Sequence, residues 1–240
     1  MLMYDQLATY YDALVKDEEA TAAWVSFVNK YAYGNTFLEV ASGSGEITLA
    51  LADQGYHMTA GDLSVKMLQR AQVKDHSEKV EWHCFDMRDL RQFTVYDSIL
   101  CFCDSINYLI ECEDWRLFFQ EAYAHLKENG VLLFDMHTKD RLMEFAEEYC
   151  EAGYINQTAY EWTISAEGDL LYHNFVFYDD GAKPSLEQHV QRVMSSDWVT
   201  ACLKEIGFQV KIVTDFTKPG CQSGEKYFYI CKKISEGEKR

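Results

Sequence analysis

Residues 36–48, Thr-Phe-Leu-Glu-Val-Ala-Ser-Gly-Ser-Gly-Glu-Ile-Thr, constrain the fold of this 240-residue chain more than any other segment. An apolar stretch runs into Gly43-Ser44-Gly45, and a helix-forming stretch follows at once. Strand, glycine turn and helix in that order make the opening βα unit of a nucleotide-binding parallel sheet. Glycine is needed where the main chain turns tightly and where a ligand lies flat against it. Glu39, four residues before Gly43, narrows the ligand. A carboxylate in the strand gives nothing to a pyrophosphate, but it suits a sulfonium and an α-amino group. Thr48 stands where a dinucleotide fingerprint would place its third glycine.

Up to residue 135 the pattern alternates strand and helix. Helices are expected over 3–15, 18–32 and 45–54, after a cap at Ser64, and over 113–127 with a stop at Asn129-Gly130. Strands are expected over 36–40, 57–61, 79–84, 98–102 and 131–135. Their continuous apolar character predicts a parallel sheet covered on both faces. The rhythm then breaks. Residues 158–166, 170–178 and 185–193 read as three antiparallel strands, the first two joined at Glu167-Gly168-Asp169. A helix from Ser195-Ser196-Asp197 stops at Gly207, and strands over 208–214 and 226–233 follow, the last expected antiparallel. Two prolines and no low-complexity run leave no linker. One domain over 1–240 is expected, with 1–33 as a helical cap and 150–194 as a lid.

The formal charge of −17 argues against a surface that tracks phosphates. The basic pairs Lys232-Lys233 and Lys239-Arg240 lie near the C-terminus. A small-molecule partner is expected, and no nucleic acid. Residues 1–6 lack a basic flank and apolar run, and no run of about 18 apolar residues exists to cross a membrane. Eight cysteines include no Cys-x-x-Cys pair. Free thiols in a reducing cytoplasm are the reading. Cys101-x-Cys103 with His83-Cys84 is read as buried thiols on a strand, so no metal is expected. The oligomeric state is left open.

Ligands of an open parallel sheet bind beyond the carboxyl ends of its strands. Gly43 and Gly45 follow the first strand. Asp62 follows the second and suits a pair of ribose hydroxyls. Asp86 follows the third and suits an adenine amino group, with Met87 against the adenine face. Cys103 and Asp104 follow the fourth, where a methionine tail or a methyl acceptor would lie. Ala41 and Leu63 flank the glycine turn and Asp62. Together these residues predict a site for S-adenosyl-L-methionine.

The order of pieces resembles the class I S-adenosylmethionine-dependent methyltransferases. The resemblance is carried by Glu39-Val40-Ala41-Ser42-Gly43-Ser44-Gly45, Gly61-Asp62-Leu63-Ser64, Asp86-Met87-Arg88-Asp89-Leu90, Tyr96-Asp97-Ser98-Ile99 and Gly207-Phe208. It is similar in particular to small bacterial members with Asp-Ser-x-Asn-Tyr-Leu after strand four, here Asp104-Ser105-Ile106-Asn107-Tyr108-Leu109. Those members share Tyr10-Tyr11-Asp12 and an antiparallel insertion, and related ones methylate amino groups of sugars and other small amines. The resemblance implies a Rossmann-like seven-stranded α/β sheet, order 3-2-1-4-5-7-6. It implies cofactor roles for Glu39, Gly43, Gly45, Asp62 and Asp86, and a place for Tyr11 over the cofactor.

His137 lies just past strand five, where an imidazole can take a proton from an amine or hydroxyl. Asn107 and Tyr108 are expected to line the acceptor side with it. In the third insertion strand Glu187, His189 and Gln191 share one face by the period of two, and Arg192 lies on the other. If that sheet covers the pocket, these groups meet the acceptor, with His189 and Arg192 singled out as substrate residues. Tyr160, Trp162, Phe175 and Phe177 read as the insertion's own packing. The leading expectation is methyl transfer to N or O of a small molecule by in-line displacement. The rivals are an RNA or protein methyltransferase, a binding module without turnover, and an NAD-dependent oxidoreductase.

Overall fold

The computed structural model describes residues 7–15, 17–178 and 183–234. The readings on residues 1–6 and on Lys239-Arg240 lie outside those residues. The first half alternates α and β as its apolar pattern requires. Helices α1 (Leu7–Val15) and α2 (Glu18–Tyr31) lead into β1 (Thr36–Val40), α3 (Glu46–Asp53), β2 (His57–Asp62), α4 (Val65–Gln72), β3 (Val80–Cys84) and β4 (Tyr96–Cys101). A short 3-10 turn, Ser105–Tyr108, precedes α5 (Cys112–Ala124), β5 (Leu126–His137) and α6 (Lys139–Glu144). The insertion holds β6 (Tyr149–Ile155), β7 (Thr158–Glu167), β8 (Leu170–Tyr178) and β9 (Ser185–Arg192). Helix α7 (Ser196–Ile206) then returns the chain to β10 (Phe208–Thr214), β11 (Lys218–Pro219) and β12 (Lys226–Lys233).

The main sheet runs β11-β10-β12-β5-β4-β1-β2-β3, with β12 antiparallel to β5 and β10. It is the expected Rossmann-like sheet with eight strands rather than seven, because Lys218–Pro219 adds a two-residue edge to β10. Period-two alternation sorts its side chains onto two buried faces. Leu38, Val40, Ile99 and Phe134 pack toward Trp115 and Phe118 of α5 and Leu203 of α7. Phe37, Leu100, Leu133 and Phe228 pack toward Phe27 of α2 and Leu51 of α3. Burial on both sides explains why these strands read as unbroken apolar runs.

The insertion is a separate antiparallel sheet of four strands, β6-β7-β8-β9, where three were expected. The half-exposed edge strand β6 carries too little apolar alternation to be seen in sequence. Asn129-Gly130 does not stop the preceding helix. That helix ends at Ala124, and the pair lies inside β5, with Asn129 at φ 64°.

Candidate active site

A cavity of about 870 Å³ opens at the carboxyl ends of β1, β2, β4 and β5. It lies within the range of roughly 300–1,000 Å³ usual for ligand sites. Helix α1 and the insertion sheet close it from above. Tyr10 stacks on Phe177 at 4.7 Å, and Leu7 packs with Phe175 and Ile155. The Leu7 N–H donates to Glu187 of β9 (2.9 Å), while Ser44 of the glycine turn donates to Asp12 of α1 (2.6 Å). Helix α1 is thereby pinned at both ends, to the insertion and to the turn.

One end of the cavity is built by the glycine turn. Ser42 donates through its backbone to Gly61, and Gly43 donates to Asp62 Oδ2 (2.9 Å). Asp62 Oδ1 accepts from the Ser64 N–H (2.8 Å). Burial raises the Asp62 pKa, against the backbone donors that lower it. A Cβ on Gly43 would meet nothing within 4 Å, so this residue borders open space. A Cβ on Gly45, at φ +80°, would strike the Trp82 ring at 2.6 Å. Glu39 lies buried below the turn, and its one hydrogen-bonded partner is the Thr48 hydroxyl (2.6 Å). Burial pushes its carboxyl up to about 7, with Thr48 pulling the other way. Asp86 is gripped by Arg88 (2.6 Å), and that pairing holds its pKa low against burial.

The other end is a network of charges. Lys226 of β12 reaches Asp104 (2.6 Å) and Asp135 of β5 (3.2 Å). The Asp104 N–H donates to Asp135 (2.9 Å), and Trp24 Nε1 donates to its other oxygen (3.4 Å). Gln191 Nε2 donates to Asp104 Oδ2 (2.6 Å). Burial works against the charge of Asp104, yet Lys226 and His137 hold its pKa well below the usual carboxylate range. His137 Nε2 faces Gln191 Oε1 at 3.2 Å and Asp104 Oδ2 at 3.4 Å. Both are acceptors, so Nε2 carries the hydrogen and a neutral ring keeps its lone pair on Nδ1. That Nδ1 is buried and has no hydrogen-bond partner.

Residues 37–130 match the methyltransferase-domain family model. A methyltransferase-family protein of Geobacillus sp. (strain WCH70) is 33% identical over 97% of this chain and 100% of its own length. The chain belongs to the class I S-adenosylmethionine-dependent methyltransferases. An S-adenosylmethionine-dependent methyltransferase from Clostridium acetobutylicum ATCC 824 has the same fold, with TM-score 0.80 and 26% identity over 97% of this chain and 99% of that one. A glycine/sarcosine N-methyltransferase from Parasynechococcus marenigrum (strain WH8102) is 32% identical over 72% of this chain and 62% of its own.

The cofactor of the enzyme is S-adenosylmethionine, and the residues present fit it. Buried Glu39, the open face of Gly43 and the Asp62 carboxylate offer a cation partner, a flat main-chain surface and hydroxyl acceptors. Tyr11, Glu39, Ala41, Gly43, Gly45, Asp62, Leu63, Asp86, Met87 and Cys103 all line the one cavity, as do Tyr108 and His137. Cys103 does not continue the strand beside Cys101. It sits past the end of β4 at φ 56°, with its side chain exposed.

Three expected acceptor residues lie off the cavity wall. Asn107 is fully buried; its amide donates to the Arg192 carbonyl (2.7 Å) and accepts from the His137 N–H (3.2 Å). It ties the insertion to β5. His189 is buried against Glu187 (2.8 Å). Arg192 turns away to Asp169 (2.9 Å) and the Ile110 carbonyl (2.8 Å). From the face shared by Glu187, His189 and Gln191, Gln191 reaches the cavity. Asp104 and Gln191, both expected near the acceptor, line it. Arg141, Trp162, His173 and Phe175 line it without having been marked as site residues. The aromatic alternation of β7 and β8 was the available signal, taken there as packing, with His173 left open to either face.

Proposed function

We propose that the enzyme transfers a methyl group to a nitrogen or oxygen of a small-molecule acceptor, with His137 as general base. The observation that carries this reading is the His137 ring, held through Nε2 by Gln191 and Asp104 and left with a free Nδ1. Glu39, Gly43, Gly45 and Asp62 hold the cofactor, with Tyr11, Leu63 and Met87 around it. When bound, the cofactor supplies an activated methyl on a sulfonium, whose displacement leaves a neutral sulfur. The enzyme's own task is then to align a nucleophile about 3 Å from that methyl and exclude water. Helix α1 and the insertion, the cap and lid of a single domain in this reading, do the excluding. His137 Nδ1 takes the proton shed by the acceptor, and Asp104 stabilises the imidazolium that results.

A small acceptor is supported by the roofed cavity and by the charge of −17, which suits no phosphate backbone. Nitrogen as the accepting atom is supported by the named activity of the Parasynechococcus relative. Among the described residues no helix is long and apolar enough to cross a membrane. We place the enzyme in the cytoplasm on its free thiols. The test is His137→Gln, assayed with radiolabelled cofactor and the small-molecule fraction of a cell extract. Transfer falls by about 100-fold while calorimetric cofactor affinity is unchanged. Undiminished transfer removes the base from His137.

A further inference from the structure

Beyond His137, three side chains lining the acceptor end of the cavity hold buried polar atoms that bond to nothing: Trp162 Nε1, His173 Nε2 and Arg141 Nε. They come from three elements, β7, β8 and α6, yet they are neighbours. Trp162 stacks on His173 at 6.0 Å, and Arg141 lies over the Phe145 ring at 4.6 Å, where α6 meets the insertion. Arg141 sends its terminal nitrogens outward, to Glu144 (2.6 Å) and Glu225 (3.8 Å), which are 55% and 54% exposed. Its Nε stays behind, buried and unpaired. Buried polar atoms without a partner among the described residues are costly, and three around one end of a cavity call for a common partner.

The chemistry of that partner follows from the donors. Indole and guanidinium N–H groups donate and never accept. Burial lowers the His173 pKa to about 4, so the ring is neutral, and in the tautomer with its hydrogen on Nε2 it donates there without a charge. The partner therefore accepts from several donors beside one cation. A carboxylate has two acceptor oxygens and one negative charge. Arg141 already pairs with Glu144 and Glu225, so a carboxylate adds one charge near Asp104, whose field reaches His173, where a phosphate dianion would add two.

We propose that Arg141, Trp162 and His173 form a subsite for a carboxylate on the methyl acceptor. The acceptor is then a small amine or alcohol bearing a carboxylate, with its nucleophile toward His137. The proposal rests on the methyl-transfer reading, and its test separates the two.

The full chain, ¹⁵N-labelled and saturated with S-adenosylhomocysteine, is titrated with sodium acetate while its indole N–H resonances are followed. The five tryptophans give five signals, and Trp162→Phe identifies the one in question. Acetate moves the Trp162 signal saturably, and methylammonium chloride leaves it still. Arg141→Gln and His173→Phe each weaken the acetate response by about tenfold. The four remaining indole signals report that both variants stay folded. A Trp162 signal that ignores acetate, an unchanged response in Arg141→Gln, or a response to inorganic phosphate instead would each overturn the subsite. Calorimetry on the same proteins before S-adenosylhomocysteine is added reads cofactor binding. Cofactor binding with a silent acetate titration removes the subsite alone, and no cofactor binding removes the underlying reading with it.

Discussion

Glu39 shows what a single residue gives up to serve a site. It is buried, its hydrogen-bonded partner is one hydroxyl, and its carboxyl titrates near 7. An acid raised in the folded state binds its proton there while the unfolded chain has already released it. Stability from this group is therefore complete below about 4.5, falls as pH rises through 7, and is lost above. The loss is about 3 kcal/mol, an upper order of magnitude. Glu39→Gln removes the titration. Thermal unfolding of the cofactor-free protein should show the variant gaining on the parent between pH 5 and pH 8, by several degrees at the upper end. Under the proposed cofactor role, the same substitution weakens cofactor binding, because the cofactor's ammonium would lose its counter-charge. A stability difference constant with pH would contradict the assignment. Glu39 was legible in sequence because a carboxylate is out of place in an apolar strand.

At the scale of elements, Lys226 joins the ends of three strands. It lies on β12 and neutralises Asp104, just past β4, and Asp135 on β5, with the Trp24 ring 5.2 Å away. Lys226→Met leaves the buried Asp135 and the partly exposed Asp104 beside each other without a cation, at a cost of about 3 kcal/mol near neutral pH. With the lysine gone, the carboxylates protonate more readily. The deficit should therefore shrink as pH falls toward 4, as measured by urea unfolding across pH. A deficit that does not vary with pH would mean that Lys226 acts through packing. Asp104 was placed at a strand end from sequence, but its pairing with Lys226 was not, since Lys226 and Asp104 lie 122 residues apart and no local pattern links them. The elements that sequence missed are alike in being locally weak. Strand β6 is largely exposed, and α6 has six residues and no buried face. The parallel strands and the Ser64 cap, whose side chain accepts from the Met67 N–H, were legible because burial and capping are written into neighbouring residues.

Across the whole molecule, the two ends of the cavity were read with unequal success for one reason. The cofactor end is built from a glycine turn and strand termini that recur at fixed spacing, so Gly43, Gly45, Asp62 and Asp86 stand out along the chain. The acceptor end is assembled from α1, α6, β7, β8 and β9, and only the three-dimensional register decides which alternate residues face inward. Alternation turns Arg192 to the other face from Gln191, while His189, on the same face as Gln191, is covered by Glu187 and Phe175 instead. The central claim concerns this second end: that the enzyme methylates a small molecule. The direct measurement incubates the protein with methyl-labelled S-adenosylmethionine and a cell extract, then separates acid-soluble small molecules from precipitated protein and RNA. The account predicts label in the small-molecule fraction, reduced by about 100-fold in His137→Gln. Label confined to the precipitate, or absent from both fractions, would contradict it.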